Sequence, residues 1–221
     1  MKVVASIQAR LGSTRLPGKV LYQLGDRRVL QWAVDRATAA EGVDKTVVTT
    51  GDRPENNAIT EFCDREGIKH TVGPEEDLLS RHLDVAIETG YDVLVRITAD
   101  CPFVPASEIK RTLDEHISNK AGYTRNDRIS DGDHQMPIGT AVDVFDTELL
   151  ERLSDTGATH PSRKPLESPN EWCVNFTPNE YWTQFSEVHM AVDTPADYWR
   201  LIDAVEAVGD DPKAVAEWLA Q

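Results

Sequence analysis

The side chains best equipped for chemistry sit at the start of the chain, in Gln8-Ala9-Arg10-Leu11-Gly12-Ser13-Thr14-Arg15-Leu16-Pro17-Gly18-Lys19. Two glycines, two hydroxyls, a proline and three cations follow the β-branched run Val3 to Ile7, which reads as a buried strand. Glycine lets backbone approach a ligand closely, and successive N–H groups in such a loop form a concavity for anions. Charge strengthens the point. The chain carries 38 acids and a net charge of −15, so a stretch of 25 residues should hold about four acids. Residues 1–25 hold none, the first being Asp26, while Lys2, Arg10, Arg15 and Lys19 all fall there. A basic loop in an acidic protein points to a polyanion, most simply phosphate. The bland alternative is that these cations pair with surface acids. Walker A does not fit, because five residues separate Gly12 from Gly18 and Val20 follows Lys19. No G-x-G-x-x-G follows a strand either.

Three acidic stretches could serve such a site. Asp100 ends Arg96-Ile97-Thr98-Ala99-Asp100-Cys101-Pro102, at the carboxyl end of a strand, where open α/β sheets bind ligands. A carboxylate there tolerates a triphosphate if a divalent cation lies between them, but it also suits a turn or helix cap. Asp193, in Val192-Asp193-Thr194-Pro195, is equally well placed to cap the helix that follows. Asp131-Gly132-Asp133 has the spacing of a metal-dependent glycosyltransferase, yet its polar surroundings read as a solvated loop tip.

The elements that must position these residues alternate. Strands are expected at 3–7, 46–50, 68–72 and 92–97, and helices at 29–40, 56–66, 78–89 and from 105 or 106 to 119. Strands separated by helices of this length imply right-handed βαβ units and a parallel, Rossmann-like sheet. The second half is less regular. A polar loop is expected over 124–139, a strand at 142–145, a helix at 147–153 and a long excursion over 154–171. Strands are then expected at 172–176 and 187–192, followed by helices from Thr194 or Pro195 and over 212–219. A length of 221 residues suits one domain. Residues 1–120 hold the regular βαβ half of that domain and residues 121–221 the less regular half.

Composition excludes several classes. The acidity argues against nucleic acid and anionic membranes as partners. No apolar run approaches a membrane span and no signal-peptide core is present, so a cytoplasmic protein is expected. Eight lysines against fifteen arginines, in so acidic a chain, suggest a high-salt, halophilic setting. Cys63, Cys101 and Cys173 form no C-x-x-C and read as small buried hydrophobes rather than disulfide or zinc ligands.

The stretch from Gln8 to Leu21 resembles the opening of SpsF-type spore-coat-polysaccharide cytidylyltransferases, and more distantly the CMP-sugar synthetases for Kdo and sialic acid. Arg96 to Pro102 and Val192 to Pro195 resemble further family motifs, with Ala99 where the family has Gly and Ala196 where it has Glu. The resemblance implies a single α/β domain of the GT-A, or nucleotide-diphospho-sugar transferase, type, with a mostly parallel sheet and a small extra β element. It implies a Mg²⁺-dependent transfer of the cytidylyl group of CTP to a sugar or sugar acid, with pyrophosphate released, and a homodimer, with residues 1–120 as the nucleotide-binding half and 121–221 as the acceptor-binding and dimerisation half. Arg10, Arg15 and Lys19 would neutralise phosphate, assisted by Ser13 and the N–H groups of residues 11–14; Gln8, Ala9, Leu11, Gly12 and Thr14 belong to the same binding stretch. Asp100 and Asp193 would hold the metal, with Arg10, Lys19 and Asp100 as the catalytic set. Asp77 and Arg81, from Gly73-Pro74-Glu75-Glu76-Asp77-Leu78-Leu79-Ser80-Arg81, would lie near the base, although Asp77 could equally cap a helix. Asp143 would lie on a strand facing substrate or subunit, and His160 or Arg163 could meet an acidic sugar. The alternatives are a glycosyltransferase working through Asp131 and Asp133, or a non-catalytic nucleotide-binding relative.

Overall fold

The computed structural model describes residues 1–88, 90–130 and 133–221. At its centre lies β1 (Val3–Ala9), every residue of which is buried or nearly so. It pairs in parallel with β2 (Lys45–Gly51) on one side and β4 (Val93–Thr98) on the other, and β3 (His70–Gly73) extends the sheet beyond β2. The connecting helices are α1 (Val29–Thr38), α2 (Asn57–Glu66) and α3 (Leu78–Ile87). After α4 (Ala106–Asn119) come β5 (Tyr123–Arg125) and β6 (Asp143–Asp146), then α5 (Thr147–Ser154) and β7 (Val174–Phe176). The seven-stranded sheet runs β7-β5-β6-β4-β1-β2-β3. Only β6 opposes its neighbours. Two short antiparallel ladders, Gln23–Leu24 with Arg27–Arg28 and Ile129–Ser130 with Asp133–His134, stand apart from it.

Alternation along β1 sends its side chains to two different layers. Ala5, Ile7 and Ala9 pack with Leu30, Ala33, Val34 and Ala37 of α1. Val4 joins Leu79, Leu94, Phe145 and Leu149 on the opposite face. Ser6 and Gln8 share that second face, so the one polar pair on the central strand points toward α3. A third apolar cluster joins Leu16 and Leu24 to Trp182, Met190, Leu201 and Val215. Through it, α6 (Pro195–Val208) and α7 (Pro212–Leu219) clamp the loop after β1.

Three expectations need correction. The stretch 124–139 is not all loop, since β5 covers its start and the second ladder lies within it; the polar pair of buried Thr124 and half-buried Arg125 breaks the apolar alternation that would mark a strand. Residues 187–192 form no strand. Their alternating apolar residues are buried, but the backbone makes only an isolated bridge between Ile138 and His189. Cys173 is exposed in a turn with φ of 50°, unlike the buried Cys63 and Cys101.

That isolated bridge matters to the site. Ile138 N donates to Val188 O at 3.0 Å, and Met190 N to Ile138 O at 2.7 Å. Gly139 adopts φ +97°, and a Cβ there would stand 2.5 Å from Ala191 N. Gly139→Ala is therefore expected to cost at least about 2 kcal/mol, from strain and contact together. Thermal melts should show the loss, and a melting temperature unchanged from the parent would refute the close approach.

Candidate active site

Register brings the carboxyl ends of β1, β2, β3 and β4 to one edge, because Gln8 faces both Thr49 and Thr98 across the ladder and Gly51 faces Gly73. The chain leaves β1 into the basic loop at this edge and leaves β4 into Ala99-Asp100. Hydrogen bonds within the loop set its shape. Leu11 O accepts from Ser13 N at 2.8 Å and from Gly18 N at 3.0 Å, while Leu16 N donates to Ser13 Oγ at 3.3 Å. Gly18 has φ +74°, a conformation that favours glycine, and Lys19 starts the single turn Lys19–Leu21. Leu11 N donates to Asn56 Oδ1 at 2.9 Å, and the buried Asn56 amide in turn donates to Gly51 O and to Glu75 Oε2. Among the described residues, the N–H groups of Gly12, Thr14 and Arg15 donate to no protein acceptor. They remain available to an anion.

A cavity of about 510 Å³ opens over this edge. Residues 8–10 and 12–15 border it, with Lys19, Arg81, Asp100 and Asp193. Two residues expected at a ligand lie elsewhere. Leu11 packs against the core and ties the loop down through both its backbone groups. Asp77 caps α3, accepting from Ser80 N at 2.9 Å. Asp133 is exposed and away from the cavity, and Asp131 lies outside the described residues.

Asp193 is not a helix cap. Thr194 takes that place, its hydroxyl accepting from Asp197 N while the Asp197 carboxylate accepts from Thr194 N. This reciprocal box frees the Asp193 carboxylate, which accepts from Lys19 Nζ at 2.9 Å and meets Arg15 Nη2 at 3.0 Å and His189 Nε2 at 3.2 Å. Lys19 Nζ also lies 2.6 Å from Asp100 Oδ2. Val192 N donates to Asp100 O at 2.9 Å, so main chain links the two acidic turns directly. Two carboxylates 93 positions apart in the chain thus converge on one ammonium group. Burial works to lower the Lys19 pKa, but the adjoining Asp100 and Asp193 carboxylates outweigh it and hold Lys19 above the ordinary lysine value. Burial likewise pushes Asp193 up, and Lys19, Arg15 and His189 more than reverse it, so Asp193 stays below the usual carboxylate range. Burial pushes the Cys101 thiol far up; that residue is a neutral donor beside Asp100, not a nucleophile. Ala99 is only 1% exposed and packs in the core, and it also borders the cavity beside Asp100.

The cavity's other wall carries Gln8, Arg81, His160 and Arg163, which offer donors, beside Glu75 and Glu76. Arg96 Nε donates to Gln8 Oε1 at 2.8 Å, and an arginine can only donate, so the Gln8 amide N–H pair points away from it. His82 Nε2 also approaches Gln8 Oε1, at 3.3 Å, while His82 Nδ1 pairs with Ser6 Oγ at 2.8 Å. Burial, with Arg96 and Arg81 nearby, keeps His82 neutral and well below the ordinary histidine value. His82 therefore carries its proton on Nε2. His160 Nδ1 accepts from Ser162 N at 3.3 Å, and burial and neighbouring arginines lower its pKa to about 4, which leaves its proton on Nε2 too. Arg81, 5% exposed, has no hydrogen-bond partner for Nε or Nη1. Burial lowers its pKa, partly offset by Glu75. Arg163 completes this wall.

Beneath Gln8 lies a largely buried ionic network that no local sequence pattern signals. Asp143 pairs with Arg96, accepts from Tyr123 Oη at 2.7 Å and meets Arg125 Nη1 at 2.8 Å. Arg125 also meets Asp127, which accepts from His134 Nδ1 at 2.6 Å. Asp143 faces Arg96 and Arg125 in register on adjacent strands, a cross-strand match that spacing along one chain cannot reveal. His189 was missed for a related reason, since its contact with Asp193 forms outside any helix or strand.

The cytidylyltransferase family profile matches residues 4–206. The chain belongs to that family. It is similar to the spore coat polysaccharide biosynthesis protein SpsF of Bacillus subtilis, 27% identical over 96% of this chain and 90% of the relative. A cytidylyltransferase structure from Leptospira borgpetersenii superposes with a TM-score of 0.89, at 26% identity, covering all of this chain and 94% of that one. CMP:2-keto-3-deoxy-manno-octonic acid synthetase, solved in complex with CTP, shares the fold with a TM-score of 0.70 at 17% identity, covering 94% of this chain and 99% of that one. The single α/β domain with its mostly parallel sheet is thus the nucleotidyltransferase fold. No helix among the described residues is long and apolar enough to cross a membrane.

Proposed function

We propose that this cytidylyltransferase activates a sugar acid, joining it to the cytidylyl group of CTP with release of pyrophosphate. One observation carries the reading: in a chain of this family, Asp100, Asp193 and Lys19 converge at the mouth of a loop with free N–H groups and two further arginines. The acceptor hydroxyl oxygen would bond to the α-phosphorus, the α–β bridging bond would break, and pyrophosphate would leave with its electron pair. The hydroxyl proton passes to solvent. Positioning and charge neutralisation account for catalysis of this kind. Arg10, Arg15 and Lys19 bind the β- and γ-phosphates, and the N–H groups of Gly12 and Thr14 orient them.

The residues present fit a divalent cation. Asp100 and Asp193 already share one cation, the Lys19 ammonium, and magnesium typically takes one or two carboxylates together with substrate phosphates. Among the described residues no group of three or more His, Cys, Asp or Glu could hold a metal, so nucleotide oxygens and water would complete the shell. When bound, magnesium would supply positive charge at the transferring phosphoryl group. A cytosine base is supported by the family and by the neighbour solved with CTP. An acidic acceptor is supported by the donors of the Gln8 amide, His160 Nε2, Arg81 and Arg163, which outnumber the Glu75 and Glu76 carboxylates on that wall. Pairing of two copies belongs to the same proposal.

A thermal-shift panel of CTP, UTP, ATP and GTP, with and without Mg²⁺, followed by a pyrophosphate-release assay with sugar acids, tests this. Ligand at one hundred times its Kd stabilises by about 2.7 kcal/mol. A Mg²⁺-dependent shift with CTP and release of pyrophosphate are expected. Binding of CTP without pyrophosphate release from any sugar acid would leave a nucleotide-binding protein and no transferase.

A further inference from the structure

We infer that Lys19 is a built-in cation that holds the carboxylate pair before the nucleotide arrives, so that the protein takes its divalent ion with the nucleotide and not ahead of it. This rests on the proposed metal role of Asp100 and Asp193. Lys19 Nζ lies 2.6 Å from Asp100 Oδ2 and 2.9 Å from Asp193 Oδ1, between the two side chains that the metal would need. Its side chain is 9% exposed, whereas Asp100 and Asp193 are 26% and 20% exposed. The ammonium is thus the most deeply placed of the three charges. Exposed lysines rarely hold a fixed partner, but here two charge-assisted bonds and burial fix the head group.

The anchoring of Lys19 favours exchange over rearrangement of the fold. Its main chain is pinned in a short turn, with Lys19 N donating to Leu16 O and Tyr22 N donating to Lys19 O. Only the four-carbon side chain has to swing. A metal ion sharing Asp100 and Asp193 with Lys19 would set like charges against each other in a partly buried space, and two carboxylates alone make a poor magnesium site. A nucleotide removes both obstacles. Its phosphates give Lys19 a new anion, and their oxygens add ligands to the metal. Metal and nucleotide should therefore bind with positive coupling, and the coupling must be reciprocal. Arg15 Nη2, 3.0 Å from Asp193 but 62% exposed, adds a weaker, solvent-screened share of the same effect.

Titrating the full chain with Mn²⁺ alone, followed by electron paramagnetic resonance of the free ion, tests this without turnover. Lys19→Gln should bind Mn²⁺ at least tenfold more tightly than the parent, and Lys19→Arg, which keeps the charge, should match the parent. Adding α,β-methylene-CTP, which cannot be cleaved at that bridge, should raise the parent's Mn²⁺ affinity more than that of Lys19→Gln. Equal affinity of the parent and Lys19→Gln for Mn²⁺ alone, both folded by circular dichroism, would overturn the inference. If the parent with the analogue binds no more Mn²⁺ than Asp100→Asn with the analogue, the metal role itself falls.

Discussion

Asp100→Asn is expected to lower the rate of pyrophosphate release by about 10²–10³-fold and to reduce the Mg²⁺-dependent part of the CTP thermal shift, while the fold is kept. The substitution keeps the side chain's shape and removes the charge that meets Lys19 at 2.6 Å. Because Asp100 is 26% exposed, a folded, nucleotide-binding protein should remain. Asp193→Asn should behave alike, with one difference. Asp193 also answers Arg15 and His189, so its loss leaves more positive charge uncompensated. The double variant should be no slower than about the slower single one, since both carboxylates serve one cation and residues acting as a unit are not additive. Steady-state pyrophosphate release decides the matter. Turnover by Asp100→Asn within a few-fold of the parent would remove Asp100 from the mechanism, and the exposed Asp133 would then be the next acid to replace.

Asp143→Asn should be the most damaging single change outside the cavity. Its carboxylate, 3% exposed, stands against Arg96 and Arg125 and takes the Tyr123 hydroxyl. Removing one member of a buried ion pair costs about 3–5 kcal/mol, because the remaining charges stay buried without a partner. In a chain of this size that lowers the melting temperature by about 6–20 °C. Arg96 would also lose its mount, and with it the Gln8 amide its fixed direction.

The dependence on pH follows from the same group. Burial alone would raise the Asp143 pKa, yet Arg125, Arg96 and the Tyr123 hydroxyl hold it at about 2. A lowered carboxylate pKa stabilises the fold fully above the unfolded value of about 4, and that share is lost as pH falls toward 2. The gap in melting temperature between parent and Asp143→Asn should be constant from pH 7 to 5 and shrink below pH 4. His160 adds a separate acid sensitivity. With its folded pKa near 4, it favours the fold above about pH 6.5, and the parent should lose that contribution between there and pH 4. A gap that stayed constant down to pH 3 would show that Asp143 carries no such stabilisation.

Much of this site is visible in the one-dimensional pattern, and the reason is locality. The apolar run of β1, the basic loop behind it and the periodic faces of α1 to α4 depend on neighbours a few residues away, so type and spacing suffice to place them. The helix Pro212–Leu219 emerges with its expected bounds because Pro at its first turn and the capping Asp211 are themselves local signals. Asp193 is the instructive contrast. Its position suits a cap, and although the spacing of Thr194 and Asp197 is itself a capping-box pattern, only the fold shows that the box forms and that Asp193 turns to Lys19 instead. The same holds for residues 187–192, whose alternation looks like a strand. Whether backbone groups find a partner strand depends on what lies beside them, and here only Ile138 does. Likewise, the pairing of Arg96 with Asp143, the direction of the Gln8 amide and the neutral His82 follow from the register of β4, β6 and β5 and from the packing of α3. A chain can announce which residues are charged; which of them meet, and which are thereby left facing the cavity, is settled by strands brought together across long separations, where hydrogen-bond valence and desolvation allow few arrangements.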